Sequence, residues 1–261
     1  MMKYVQDIIV NYKRWTLKSF RNPFVLVFSL LQPIVFLILF SQVFGGVATQ
    51  AIPDVTYITY LVPAIVIQVS LASAATSGIG FVNDIEEGMY EKIQVSPMRQ
   101  GAVFIGKTLA EQTRIAVQIS IILGLGVLMG ATIGTGLPGV LAIILLGMLF
   151  SLWFVGFTNT IAVYTEDQES TIIAANFLQF PMLFLSSAFL PTEELPVWIQ
   201  SIATYNPVTY GVDATRSVML ETTVQGALPV VTNSLIVLGL LATAFGVLAV
   251  TALKRSSNKT K

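Results

Sequence analysis

Long apolar runs separated by short polar interruptions set the pattern of this chain. Six runs reach the roughly twenty residues that a helix needs to cross a hydrocarbon core of about 30 Å: residues 24–44, 61–82, 103–129, 138–163, 171–190 and 228–252. The pattern predicts an all-α integral membrane protein with six transmembrane helices, forming one transmembrane domain over 1–261. Residues 1–23, ahead of the first run, are amphipathic. Val5, Ile8, Ile9, Tyr12 and Trp15 share one side, and Lys3, Asp7, Lys13, Arg14 and Lys18 lie largely off it. That suits a helix in the headgroup plane. A secretory signal is disfavoured, because the basic region is too long and the run that follows is long enough to span.

Two polar interruptions have structure of their own. Between the second and third runs, residues 83–102 turn ionic, with Asp84, Glu86, Glu87, Glu91, Lys92 and Arg99 close together. Asn83 or Asp84 can cap a helix whose first turn holds Glu86 and Glu87. Ile85, Met89 and Ile93 form its apolar stripe, and Ser96 before Pro97 ends it near Val95. A helix this short needs a surface, either its own headgroup zone or a soluble partner. Before the last run, residues 191–227 contain two segments too short and too polar to span, Leu195–Thr204 and Asn206–Leu220. The second has Asn206 at the N-cap and Pro207 at the first position, with Asp213 and Arg216 spaced as an i,i+3 pair. Short helices dipping into the outer leaflet, as a cap over a pathway, fit this segment.

Composition narrows the chemistry. Hydrophobic residues make up 54% of the chain and charged residues 11%, and there is no Cys or His. Disulfides, thiolate nucleophiles, imidazole bases and the usual zinc sites are thereby excluded. An embedded enzyme is left with Asp, Glu, Ser, Lys and Tyr, and no carboxylates cluster within the spans. Lys and Arg set the orientation. Five precede the first span, Lys92, Arg99 and Lys107 lie between the second and third, and four close the chain. Residues 45–60 and 130–137 hold none, and 191–227 only Arg216. The positive-inside rule therefore places both termini and the 83–107 loop in the cytoplasm of a multi-pass plasma-membrane protein.

Within the spans, the polar residues are chiefly Gln32, Gln68, Asn159, Asn176 and Gln179, with Glu111 and Arg114 near the cytoplasmic end of the third. Proton- or sodium-driven carriers usually keep ionisable groups near the midplane, and their scarcity here points to an outside energy source. Amides and carbonyls can still bind sodium, so an ion-coupled carrier stays open. Gln32, Phe36, Gln68, Phe177, Phe180 and Phe184 are candidates to line a path for an apolar substrate. Small residues at Ser70, Ala74 and Gly78 predict close helix packing. Residues 101–108, GAVFIGKT, match the letters of a phosphate-binding loop. They run into a spanning helix instead of opening a helix after a buried strand, so Lys107 is read as marking the lipid boundary.

The acidic run DIEEGMYEKIQVSPMRQ after the second span, LPVWIQSIATYNPVTYGVDATRSV before the last, the six spans and the basic N-terminus resemble the permease subunit of ABC-2 type transporters. That family includes daunorubicin-resistance-like multidrug exporters and polysaccharide exporters, and the resemblance covers nearly the whole chain. It implies a homodimer of permeases working with two separate ABC ATPase subunits, which hold the ATP and Mg, while this chain binds no cofactor and no nucleic acid. By position, Asp84, Glu86, Glu87, Met89, Glu91 and Arg99 fall in the region that couples to the ATPase. Asn206, Pro207, Tyr210, Asp213 and Arg216 fall in the external re-entrant helices. Export of a drug-like or lipid-like substrate, or of a lipid-linked polysaccharide, is what the resemblance implies.

Overall fold

The computed structural model of the chain describes residues 2–21, 23–46, 55–89, 92, 98 and 100–259, and among them every regular element is helical. In order these are α1 (Met2–Phe20), α2 (Pro23–Phe44), α3 (Tyr57–Glu86), α4 (Gln100–Leu128), α5 (Gly136–Thr165), α6 (Gln168–Phe184), α7 (Val197–Ala203), α8 (Pro207–Leu220) and α9 (Val224–Lys259). Among the described residues, five helices are long and apolar enough to cross a membrane: α2, α3, α4, α5 and α9.

The bundle is built around α3. Its most apolar window is 89% buried, against 17% for α2 and for α9. Small side chains make this possible, because lipid tails supply no hydrophobic drive between helices and close backbone approach must do the work. A Cβ added at Gly78 would lie 2.6 Å from the Thr158 carbonyl oxygen of α5. Thr158 Oγ1 in turn donates to the Ala74 carbonyl at 3.0 Å. By contrast, α2 turns Phe24, Val27, Phe28 and Leu31 outward, an apolar face suited to acyl chains or to another apolar helix. The phenylalanines further along α2 face inward: Phe40 stacks on Phe44 and on Phe189, which in turn meets Phe184.

The fifth apolar run is shorter as a helix than its letters suggest. α6 has 17 residues, about 25 Å at the helical rise, and ends at Phe184 while the apolar run continues to 190. Serine side chains compete for the backbone there. Ser186 Oγ donates to the Leu183 carbonyl at 2.6 Å and accepts from Ala188 N at 3.2 Å. Non-helical backbone at this depth is tolerated because protein, not lipid, surrounds it; Ala188 is fully buried.

Three local expectations change. α3 runs unbroken through Asp84 to Glu86, so Asp84 caps no new helix. The chain turns at Gly88, whose φ of +66° is a conformation that glycine adopts without strain. Trp15 of α1 is buried against the bundle instead of lying at the lipid interface, while Val5 and Ile9 are exposed. Lys107 faces protein instead of lipid headgroups: only 2% of it is exposed.

Candidate functional site

One end of the bundle is held by a clasp between α1 and α3. Arg14 Nη2 meets Asp84 Oδ2 at 2.7 Å, and Lys18 Nζ meets Asp84 Oδ1 at 3.2 Å. Both carboxylate oxygens of Asp84 are thus taken by α1, and its side chain is nearly buried. Lys18 also reaches Glu87 Oε2 at 3.3 Å, but Glu87 stays largely exposed. Glu86 accepts from Gln168 Nε2 at 2.5 Å, which ties the end of α3 to the start of α6. Asp167 caps that start by accepting from Ser170 N at 2.7 Å. The bonds from Ser170 hold the Asp167 carboxyl below its ordinary range. Of the acidic cluster, then, Asp84 faces inward and Glu87 faces out. Met89 is half-buried beyond the Gly88 turn, and Glu91 and Arg99 lie outside the described residues.

Apart from this clasp, a set of buried polar contacts occupies the seam between α3 and α4. Arg114, midway along α4, pairs with Glu111 at 2.6 Å. It also donates to the Ser73 carbonyl at 2.9 Å and to Thr76 Oγ1 at 2.6 Å. One turn higher, Gln118 accepts from Ser73 Oγ and donates to Ser29 Oγ of α2 at 2.6 Å. The bundle therefore holds more charge than the run of apolar letters suggests, and each of these charges has partners.

Thr76 and Ser29 open onto a cleft of about 280 Å³ between α2, α3 and α6. Its polar lining is completed by Gln32, Asn176 and Gln179, and its apolar lining includes Phe28, Ile79 and Ile172. Among the described residues no charged side chain lines it, which suits a neutral or amphipathic guest. Among the path residues proposed from sequence, Gln32 lines this cleft. Gln68 is buried elsewhere in α3, Phe36 packs in the core, and Phe177, Phe180 and Phe184 are exposed on α6. Ser29 and Thr76 were not singled out from sequence. The spacing of Ser29 with Gln32, and of Asn176 with Gln179, puts each pair on one helix face, and that signal could have found the cleft.

At the other end, α8 closes off the broken terminus of α6. Asn206 caps α8 by accepting from Val208 N at 2.9 Å, while its Nδ2 donates to the Met182 and Leu185 carbonyls, each at 2.7 Å. Arg216 Nη2 donates to the Ser187 and Ala188 carbonyls at 3.0 and 3.2 Å. Its Nη1 faces Asp213 Oδ1 at 3.4 Å, and Asp213 also accepts from Ser187 Oγ at 2.7 Å. Asn206 and Arg216 thus satisfy the Met182 carbonyl of α6 and those of Leu185, Ser187 and Ala188 just past its end. Pro207 opens α8, and Tyr210 lines a second cleft beside Asp213.

A helical multi-pass bundle with a charged clasp at one end, a capped broken helix at the other and an uncharged cleft between is the architecture of a membrane transport subunit. The family profile described as ABC-2 type transporter matches residues 6–220, and the chain belongs to that family. It is 25% identical over 197 residues to a daunorubicin resistance ABC transporter permease protein, DrrB1, of Streptomyces coeruleorubidus, covering 76% of this chain and 69% of that one. It is 26% identical over 219 residues to a putative transport permease, ycf38, of Cyanophora paradoxa, covering 82% and 74%. It is 23% identical over 213 residues to a probable doxorubicin resistance ABC transporter permease protein, DrrC, of Mycobacterium tuberculosis, covering 82% and 76%. As a permease subunit of this class it carries no ATPase site of its own.

Proposed function

We propose that this chain, as a homodimer, forms the membrane path of an exporter driven by two copies of a separate ABC ATPase, which bind the ATP and Mg. The cargo is hydrophobic or amphipathic, drug-like or lipid-like. The observation that carries this reading is the buried polar set Glu111–Arg114–Thr76 between α3 and α4, which reaches the cleft wall. In this topology α6 with the irregular stretch to residue 190 makes a sixth crossing, and both termini are cytoplasmic. Nucleotide binding draws the ATPases together and moves the turn that runs from the exposed Glu87 to the half-buried Met89. α3 and α4 tilt with that turn, and the α7–α8 cap parts to release cargo outward. Coupling of this kind requires each ligand to favour one of two states.

The test is co-purification with the cognate ATPase, followed by ATP-dependent uptake of doxorubicin into inside-out proteoliposomes. Uptake that needs both subunits, with a cargo profile altered by Asn176→Leu and Gln179→Leu, supports the reading. Uptake by this chain alone under a proton or sodium gradient overturns it in favour of an ion-coupled carrier. ATPase stimulation by a lipid-linked glycan but not by doxorubicin reassigns the cargo to polysaccharide.

A further inference from the structure

We propose that the phosphate-loop look-alike at residues 101–108 is a helix-docking latch: Gly106 lets α1 seat on α4, and Lys107 pins α1, α3, α4 and α5 into one body. The role in transport rests on the reading above; the latch itself does not.

Gly106 faces the backbone of α1. A Cβ there would lie 2.7 Å from the Ile8 carbonyl oxygen and from Asn11 Cβ, and 3.0 Å from Tyr12 N. No other residue permits that approach without displacing α1. About two turns on, Tyr12 and Thr113 hydroxyls meet at 3.1 Å and fix the register. Lys107, about 100° further round α4, points into the bundle. Its Nζ donates to the Ser77 carbonyl at 2.5 Å, to Ser77 Oγ at 3.1 Å and to Asn159 Oδ1 at 2.7 Å. An ammonium has three N–H groups, and three acceptors from α3 and α5 take them.

α1 closes over this pin through a single side chain. Lys107 Nζ lies 5.2 Å from the centroid of the Trp15 indole, and Arg14 Cζ and Lys18 Nζ lie 5.2 and 5.4 Å from the same ring. These last two are the cations that hold Asp84. The indole therefore sits between clasp and pin, with cations on its π-system, an attraction that strengthens when water is excluded. A buried ammonium with no carboxylate in contact is expensive to keep, and its best-attested use is to fix one register among several. With every Lys107 proton committed and the segment wound into helix, nothing is left to cradle a phosphate. α1 is accordingly a lever fixed to the spans, and a pull on it turns α4 and α5 as well as α3.

The chain has no cysteine, so paired labels report without background. Spin labels at Lys13→Cys on α1 and Glu169→Cys at the start of α6 measure how α1 sits on the bundle, in full-length protein in nanodiscs. The native latch gives one narrow distance, unchanged when the assembled complex is trapped with ATP and vanadate. Lys107→Met, an apolar replacement of similar length, broadens it in the nucleotide-free chain and adds a shift of several ångström on trapping. Gly106→Leu broadens it by a different route, so misfolding of one variant leaves the other as the test. Membrane insertion and ATPase co-purification check both variants. The same narrow distance in both folded variants overturns the latch. So does binding of a fluorescent ATP analogue to the permease alone that Lys107→Met abolishes. A broadened resting distance without the trapping shift overturns the lever while keeping the latch.

Discussion

Arg216 lies flat over Tyr60, its Cζ 3.7 Å from the ring centroid, so that one guanidinium covers an aromatic face of α3 while its edge serves the end of α6. A planar fork can do both at once and an ammonium cannot. Arg216→Lys is expected to lower stability by about 3 kcal/mol, within the range for disrupting a buried charged network. Thermal unfolding in detergent checks it, with Glu193→Gln, on the exposed turn before α7, as a near-neutral comparison.

Asp84 is held by two cations, both partly exposed, so its removal is felt less than a fully buried charge. Asp84→Asn should cost about 2 kcal/mol, as for a hydrogen bond to a charged group. Combined with Arg14→Gln, the loss should fall short of the sum by about 1 kcal/mol, because the two residues share one interaction. A strictly additive pair of losses would mean that the clasp contributes nothing.

Gly78 and Gly124 make opposite predictions. A methyl at Gly78 meets the α5 backbone, whereas one at Gly124 meets open space. Gly78→Ala is expected to destabilise by about 1–3 kcal/mol through overpacking. Gly124→Ala should be neutral or slightly stabilising, since it restricts the unfolded chain. Unfolding midpoints of the two variants, measured side by side, decide the matter.

Asp167 gives the start of α6 a pH dependence. Its carboxyl titrates lower when the helix is formed than when it is not, because the ionised form accepts from Ser170. The cap's stabilisation is fully present above the unfolded pKa and disappears as pH falls through the folded one. Amide exchange at Ser170 should therefore speed up in that acid window, and Asp167→Asn should remove the pH dependence while keeping a cap. Exchange that stays flat across the window in the native chain would show that the cap is not used.

Local features were legible from the letters. The Asn206 cap with Pro207, the Glu111–Arg114 and Asp213–Arg216 pairs and the close approach at Gly78 depend on spacings of a few residues, which sequence displays directly. What escaped the letters depends on distant partners. Nothing near Lys107 announces that Ser77 and Asn159 will surround its amine, and nothing near Asp84 announces Arg14 and Lys18. The early stop of α6 is similar: residues 185–190 continue the apolar run apart from two serines, and the unwound path depends on side chains of Asn206 and Arg216, some twenty to thirty residues later. The cleft was half visible. Its glutamines and asparagine were noted, but Ser29 and Thr76 look like ordinary small packing residues until three helices converge on them.

Because the Met182 carbonyl of α6 and the Leu185, Ser187 and Ala188 carbonyls just past its end are bonded to the side chains of Asn206 and Arg216, the two segments form a matched lock and key across the chain. Hybrids that exchange only residues 191–227 with a relative should insert poorly or unfold early, whereas hybrids cut upstream of Pro181 should keep the match. The natural seam for recombining such permeases therefore falls inside an apolar helix, away from the loop where one would ordinarily cut.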